Sequence, residues 1–142
     1  MTEFGVKQTC LRDLLNRHQL QALLLQRSSS FAWATCGAAS YVNTASTTGA
    51  ASLLITPDKH YLLTNNIEAT RLEQEEKLHY QGWNFQIYPW HERNTLVDQL
   101  VGAAKLGTDF PRPGAIDLSA ELSLLRCALL PEENIRFRVL AR

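Results

Sequence analysis

The sequence is poor in the features that would restrict it most. Three cysteines, Cys10, Cys36 and Cys127, are spaced widely among 142 residues. An odd count without a CxxC pair excludes a disulfide framework or a cysteine metal clip, so reduced thiols are expected. No apolar run approaches the ~20 residues needed to span a bilayer. The first residues lack the basic-then-apolar pattern of a signal peptide, so the cell interior is the expected location. Fourteen basic residues balance fourteen acidic ones. Zero net charge argues against a general nucleic-acid or membrane-surface role, which needs clustered Lys and Arg. GxSxG, HExxH, GxGxxG, P-loop and EF-hand patterns are all absent. The four histidines, His18, His60, His79 and His91, do not pair at helical or strand spacing. No catalytic residue and no metal ligand can be assigned on this basis. His91 beside Glu92 is the one dipeptide that could supply a ligand, an acid–base group or a contact.

What is present reads as one globular domain. Apolar residues make up 45% and charged residues 20%, enough for a core without disulfide or metal. Val6 to His18 has helical spacing, with Lys7, Arg12, Asp13 and Arg17 between the apolar positions. Ala22–Leu25 is a short apolar run, as in a strand buried on both faces. A short helix is expected from Ser28–Ser30 through Trp33, stopping near Gly37. Ten of the residues from 28 to 52 are Ser or Thr, which suits either a ligand-facing loop or a plain loop and edge strand. Ala51–Ile55 and His60–Thr64 form a hairpin pattern around Pro57.

Asn65 followed by Glu68 resembles a capping box, and predicts a helix to about Tyr80 with Ala69, Leu72, Leu78 and Tyr80 facing inward. Trp83–Tyr88 alternates as a strand. Thr95–Ala104 and Leu118–Ala128 are helical. Leu106–Asp109 and Ile135–Leu140 are strands, the last with Arg136 and Arg138 alternating along it. The order α-β-α-β-β-α-β-α-β-α-β predicts an α/β fold. It would be three-layered, with a mixed, mainly parallel sheet of about five to six strands and helices on both faces.

Several segments resemble a known family. Leu11-Arg12-Asp13-Leu14-Leu15 leading into Leu20-Gln21-Ala22-Leu23-Leu24-Leu25 resembles the start of the creatinase/prolidase N-terminal domain, whose fold is ribonuclease H-like. Ser30-Phe31-Ala32-Trp33-Ala34-Thr35-Cys36-Gly37 resembles its N-x-x-WLTG segment, with Ser30 in place of Asn. Tyr41-Val42-Asn43-Thr44-Ala45-Ser46 and the run from Tyr61 to Leu72 are similar to the Xaa-Pro peptidase branch. Lys105-Leu106-Gly107-Thr108-Asp109 resembles a further family strand.

The resemblance implies a non-catalytic N-terminal domain of an Xaa-Pro aminopeptidase- or prolidase-like metallopeptidase. It implies a C-terminal pita-bread domain that is absent from this chain, which would then be an excised piece. That domain would carry two divalent metal ions (Mn, Co or Zn) on Asp, Asp, His, Glu and Glu. The implied partners are that domain and, in the full-length protein, a second copy in a homodimer whose active site this domain helps to wall. Trp33, Asn43 and Arg71 lie in the matching segments and become candidate contacts, beside His91. Core packing for Trp33 and a surface ion pair for Arg71 are the plainer readings. Two other functions stay open: a stand-alone module binding a small ligand or protein through residues 28–52, and a small enzyme with an unfamiliar site near His91.

Overall fold

The computed structural model describes residues 1–43 and 45–142. Thr44, within the Ser/Thr-rich stretch, lies outside the described residues. Helix α1 (Glu3–Arg17) is capped by Thr2, whose hydroxyl accepts from the Gly5 amide at 3.0 Å. Strand β1 (Ala22–Arg27) follows, then α2 (Ser28–Ala34), β2 (Thr48–Ile55) and β3 (His60–Asn65). After two irregular helical turns come β4 (Asn84–Tyr88), α3 (Leu96–Val101), β5 (Leu106–Thr108), β6 (Ile116–Asp117), α4 (Ser119–Cys127) and α5 (Pro131–Leu140).

The six strands form one sheet in the order β4-β3-β2-β1-β5-β6. β1 pairs antiparallel with β2, and β2 antiparallel with β3. The β3–β4, β1–β5 and β5–β6 pairs are parallel. Five strands therefore point one way and β2 alone points back, as a hairpin within an otherwise alternating α/β chain requires. The expected mixed, mainly parallel sheet is present, with six strands.

Alternation along the strands sorts side chains into two cores. Leu23, Leu25, Leu53, Ile55 and Leu62 face α1, α2 and α4. Ala22, Leu24, Leu54 and Leu63 face the other way, where Leu96 and Val97 of the short helix α3 cover them. This is the three-layer arrangement anticipated above. β1 is buried on both faces, which explains its unbroken apolar run.

Two expectations fail. The helix predicted to Tyr80 is broken. Asn65 Oδ1 accepts from the Ile67 and Glu68 amides at 3.0 and 2.9 Å, so the cap forms. A π-helical turn (Arg71–Glu75) and a 3-10 turn (Leu78–Gln81) then flank Lys77, which sits at φ 57°. Leu72 and Leu78 both reach the core, and six residues of unbroken α-helix would not keep them on one face. The break leaves Tyr80 exposed rather than inward.

The strand predicted at Ile135–Leu140 is helix α5. Pro131 occupies its first turn, and the Glu133 carboxylate accepts from the Leu130 amide at 2.9 Å. Local start signals and a tertiary anchor on Glu133 override the two-residue alternation, so Ile135, Phe137 and Val139 spread around an exposed helix. Arg136 and Arg138 accordingly sit on a helix. β6, two residues long, carries no sequence signal and is absent from the expected pattern.

Gly49 in β2 lies against Ser40. A Cβ there would stand 2.8 Å from the Ser40 carbonyl oxygen and closer still to its side chain. Gly49→Ala is expected to destabilise the fold by about 1–3 kcal/mol, read as a lower urea midpoint with an unchanged slope.

Candidate functional site

A cluster of four charged side chains lies where α1, α2 and α5 meet. Lys7 is only 1% exposed, although its place in the sequence pattern assigns it to the polar face of α1. Its Nζ donates to Glu3 at 2.9 Å and to Glu133 at 2.8 Å, and lies 5.1 Å from the centre of the Trp33 ring. Arg136 donates both terminal nitrogens to Glu3, at 2.9 and 2.7 Å. Two cations and two carboxylates thus neutralise one another in a partly buried setting, which is what permits a lysine to be buried.

The titration behaviour follows from these contacts. The Arg136 hydrogen bond, opposed by burial and aided by Lys7, lowers Glu3 from 4.5 to about 2. Burial works against the charge on Lys7, but its bonds to Glu133 and Glu3 outweigh that and raise its pKa. Burial likewise opposes the Glu133 carboxylate, and the Leu130 amide and Lys7 still hold it low. Cys36, at φ 64°, lies beside this network. Burial, with the Glu3 charge, pushes its thiol up to about 11. It stays protonated at neutral pH and is a poor nucleophile and ligand.

A cavity of about 280 Å³ opens beside the network. Trp33, Cys36, Phe137 and Leu140 supply much of its wall, with Lys7, Glu133 and Arg136 at its polar end. Trp33 is half-buried, and its indole N–H has no partner among the described residues.

The other candidates lie elsewhere. Arg71 donates Nε to Glu68 at 2.7 Å, and Nη1 to Glu76 at 3.3 Å and to the Ala39 carbonyl at 3.2 Å. Its guanidinium is largely committed to these pairs, although Nη2 is buried without a partner among the described residues. Asn43 is exposed and accepts from the Ala45 amide at 3.0 Å. His91 is exposed, edge-on to Trp90, with Glu92 at 3.9 Å. Among the described residues no hydrogen bond or ion pair joins Trp33, Asn43, Arg71 and His91 to one another. The structure instead groups Trp33 with Lys7, Glu133 and Arg136, residues up to 129 positions apart that no spacing rule connects.

Among the described residues, no group of three or more His, Cys, Asp or Glu is arranged to hold a metal ion. Glu3 and Glu133 are already spent on cations, and the Cys36 thiol is protonated. The metal pair implied by the resemblance does not fit on this chain's own side chains. Among the described residues, no helix is long and apolar enough to cross a membrane.

A family model described as the creatinase/prolidase N-terminal domain matches residues 8–126. The chain belongs to that family.

Solved structures with the same fold include the N-terminal domain of an Xaa-Pro dipeptidase from Lactobacillus brevis. It is 12% identical at a TM-score of 0.58, over 83% of this chain and 98% of that one. The N-terminal, creatinase/prolidase-like domain of a metallopeptidase from Corynebacterium diphtheriae is 17% identical at a TM-score of 0.57, over 87% and 88%. The prolidase from Pyrococcus horikoshii OT3 is 12% identical at a TM-score of 0.62. There the match spans 89% of this creatinase/prolidase-type chain but 36% of that protein. At such identities the likeness shows a shared fold. No curated protein sequence matches the chain.

The Glu3–Arg136 bridge has a definite pH signature. Glu3 has a folded-state pKa below its ordinary value, so its contribution is present above about pH 4.5 and is lost as pH falls toward 2. Glu3→Gln is expected to cost roughly 1–3 kcal/mol at neutral pH. The gap between wild type and variant in urea midpoint should close between pH 4.5 and pH 2. A gap that stays constant across that window would contradict the assignment.

Proposed function

We propose that this chain is the non-catalytic N-terminal domain of an Xaa-Pro aminopeptidase- or prolidase-like metallopeptidase. It acts by pairing subunits and walling an active site built on a C-terminal domain. The observation that carries this reading is the family match over residues 8–126. Neighbours of the same fold, named as N-terminal domains of an Xaa-Pro dipeptidase and of a metallopeptidase, support it. In this reading the metal chemistry belongs wholly to the C-terminal domain.

The surface supports the same reading. Leu124 of α4 and Ile135, Val139 and Leu140 of α5 are all more than 60% exposed. Apolar side chains concentrated on two consecutive helices suit contact with a further domain or a second copy. Of the four candidate contacts, Asn43 and His91 are open to a neighbour, while Arg71 is held by Glu68 and Glu76. A stand-alone binding module built on residues 28–52 is not favoured by the family match.

Two outcomes test the proposal. A longer product of the same reading frame should cleave Xaa-Pro peptides in a metal-dependent way and run as a dimer by light scattering, while the 142-residue chain does neither. Metal-dependent cleavage by the 142-residue chain would overturn it. Leu124→Ser with Val139→Ser should change the stability of the 142-residue chain by only about 0.5 kcal/mol or less. The same pair should weaken the longer protein's assembly, seen as a rise in its dimer dissociation constant.

A further inference from the structure

The sheet has a second opening, on the face away from α1, that the function proposed above does not use. α3 is only six residues long and covers Ala22, Leu24, Leu54 and Leu63. The same face of β1 to β4 continues past it toward the carboxyl ends of β1, β3 and β4. There a groove of about 280 Å³ is lined by Gln26, Ser52, Asn65, Tyr88, Asn94 and Phe110.

Its place in the topology is telling. The chain steps from β1 outward to β2, β3 and β4, then returns to the other side of β1 to lay down β5 and β6. Open α/β sheets bind ligands outside the carboxyl ends of their strands, at the point where the strand order reverses. Here that point lies between β1 and β5. The cleft itself is plugged by Asp109, whose carboxylate accepts from the Gln26 and Arg27 amides at 2.8 and 3.1 Å. The free space is displaced to the β1–β4 side, and Gln26 and Phe110 mark its boundary with the plug.

The lining chemistry narrows the ligand. Among the described residues, no charged side chain lines the groove. A charged ligand would lose hydration there without gaining a counter-charge. Asn65 and Asn94 accept backbone amides through Oδ1 only, which leaves their Nδ2 groups as donors. Among the described residues, no side-chain hydrogen bond engages the side chains of Gln26, Ser52 or Tyr88. These groups offer donors and acceptors together, and Phe110 and Tyr88 add flat apolar walls. The volume is just under the ~300 Å³ at which small-molecule sites begin.

We propose that this groove is a binding site for an uncharged ligand bearing planar amide donor–acceptor pairs, about the size of a capped amino acid. The site rests on the sheet's topology and not on the peptidase reading, so either can fail alone.

The test is an amide-resolved NMR titration of the 142-residue chain. N-acetyl-L-alanine methylamide represents a peptide source of the amide, and uridine a ring-imide source. Acetate and methylammonium serve as charged controls. Saturable shifts at Gln26, Thr48–Ser52, Asn65, Tyr88, Asn94 and Phe110 are expected with one or both neutral probes. Which probe acts identifies the source. Ser52→Val with Tyr88→Phe removes two hydroxyls and should weaken binding about tenfold. If that pair disturbs folding by circular dichroism, Asn94→Ala on the exposed loop should weaken it by about fivefold. The proposal is overturned if neither neutral probe shifts these residues, if the shifts fall elsewhere, if the charged controls act equally, or if a folded variant binds undiminished.

Discussion

The structure hangs on β1 and its closure by Asp109. β1 joins the antiparallel β2 on one side to the parallel β5–β6 pair on the other. Where it diverges from β5, Asp109 accepts two β1 amides, while its carbonyl accepts from Arg27 Nε at 2.8 Å and from the Ser119 hydroxyl at 2.9 Å. A buried carboxylate that meets several donors fixes the spacing of the elements supplying them. β1, β5 and the start of α4 are held in one arrangement by this residue. That fixed edge also shapes the charge-free groove beside it.

A second constraint operates at the chain's two ends. Lys7 on the first helix is buried because Glu133, on the last, meets it. Glu3 and Arg136 close the loop of charges. Residues 126 positions apart thereby decide the conformation of α5, which has few other contacts with the core. The cavity between these helices follows from the same lock, since Phe137 and Leu140 reach it only from a helix anchored at Glu133.

How much of this was legible in the sequence differs by element. The β1 run, the hairpin at Pro57, the Asn65 cap and the alternation of helices with strands each rest on contacts within a few residues, and each is found. The break at Lys77 was not legible, because it depends on Leu72 and Leu78 both reaching one core. The last segment misleads, since Ile135-Arg136-Phe137-Arg138-Val139 has the period of a strand, whereas Pro131 and Glu133 start a helix. Of the candidate site, Trp33 stands in a segment whose sequence singles it out. Nothing in the sequence singles out Lys7, Glu133 and Arg136 together, because a salt-bridge partner across the fold leaves no local spacing.

Local pattern thus determined most of the elements as far as α4, the α/β class and the family, since turn chemistry and hydrophobic period act over a few residues. Tertiary structure alone decided the lateral order of the strands, which charges are buried together and which face of the sheet stays open. Those outcomes depend on burial and pairing between residues distant in the chain, and a charge can be buried only where its partner is brought to meet it.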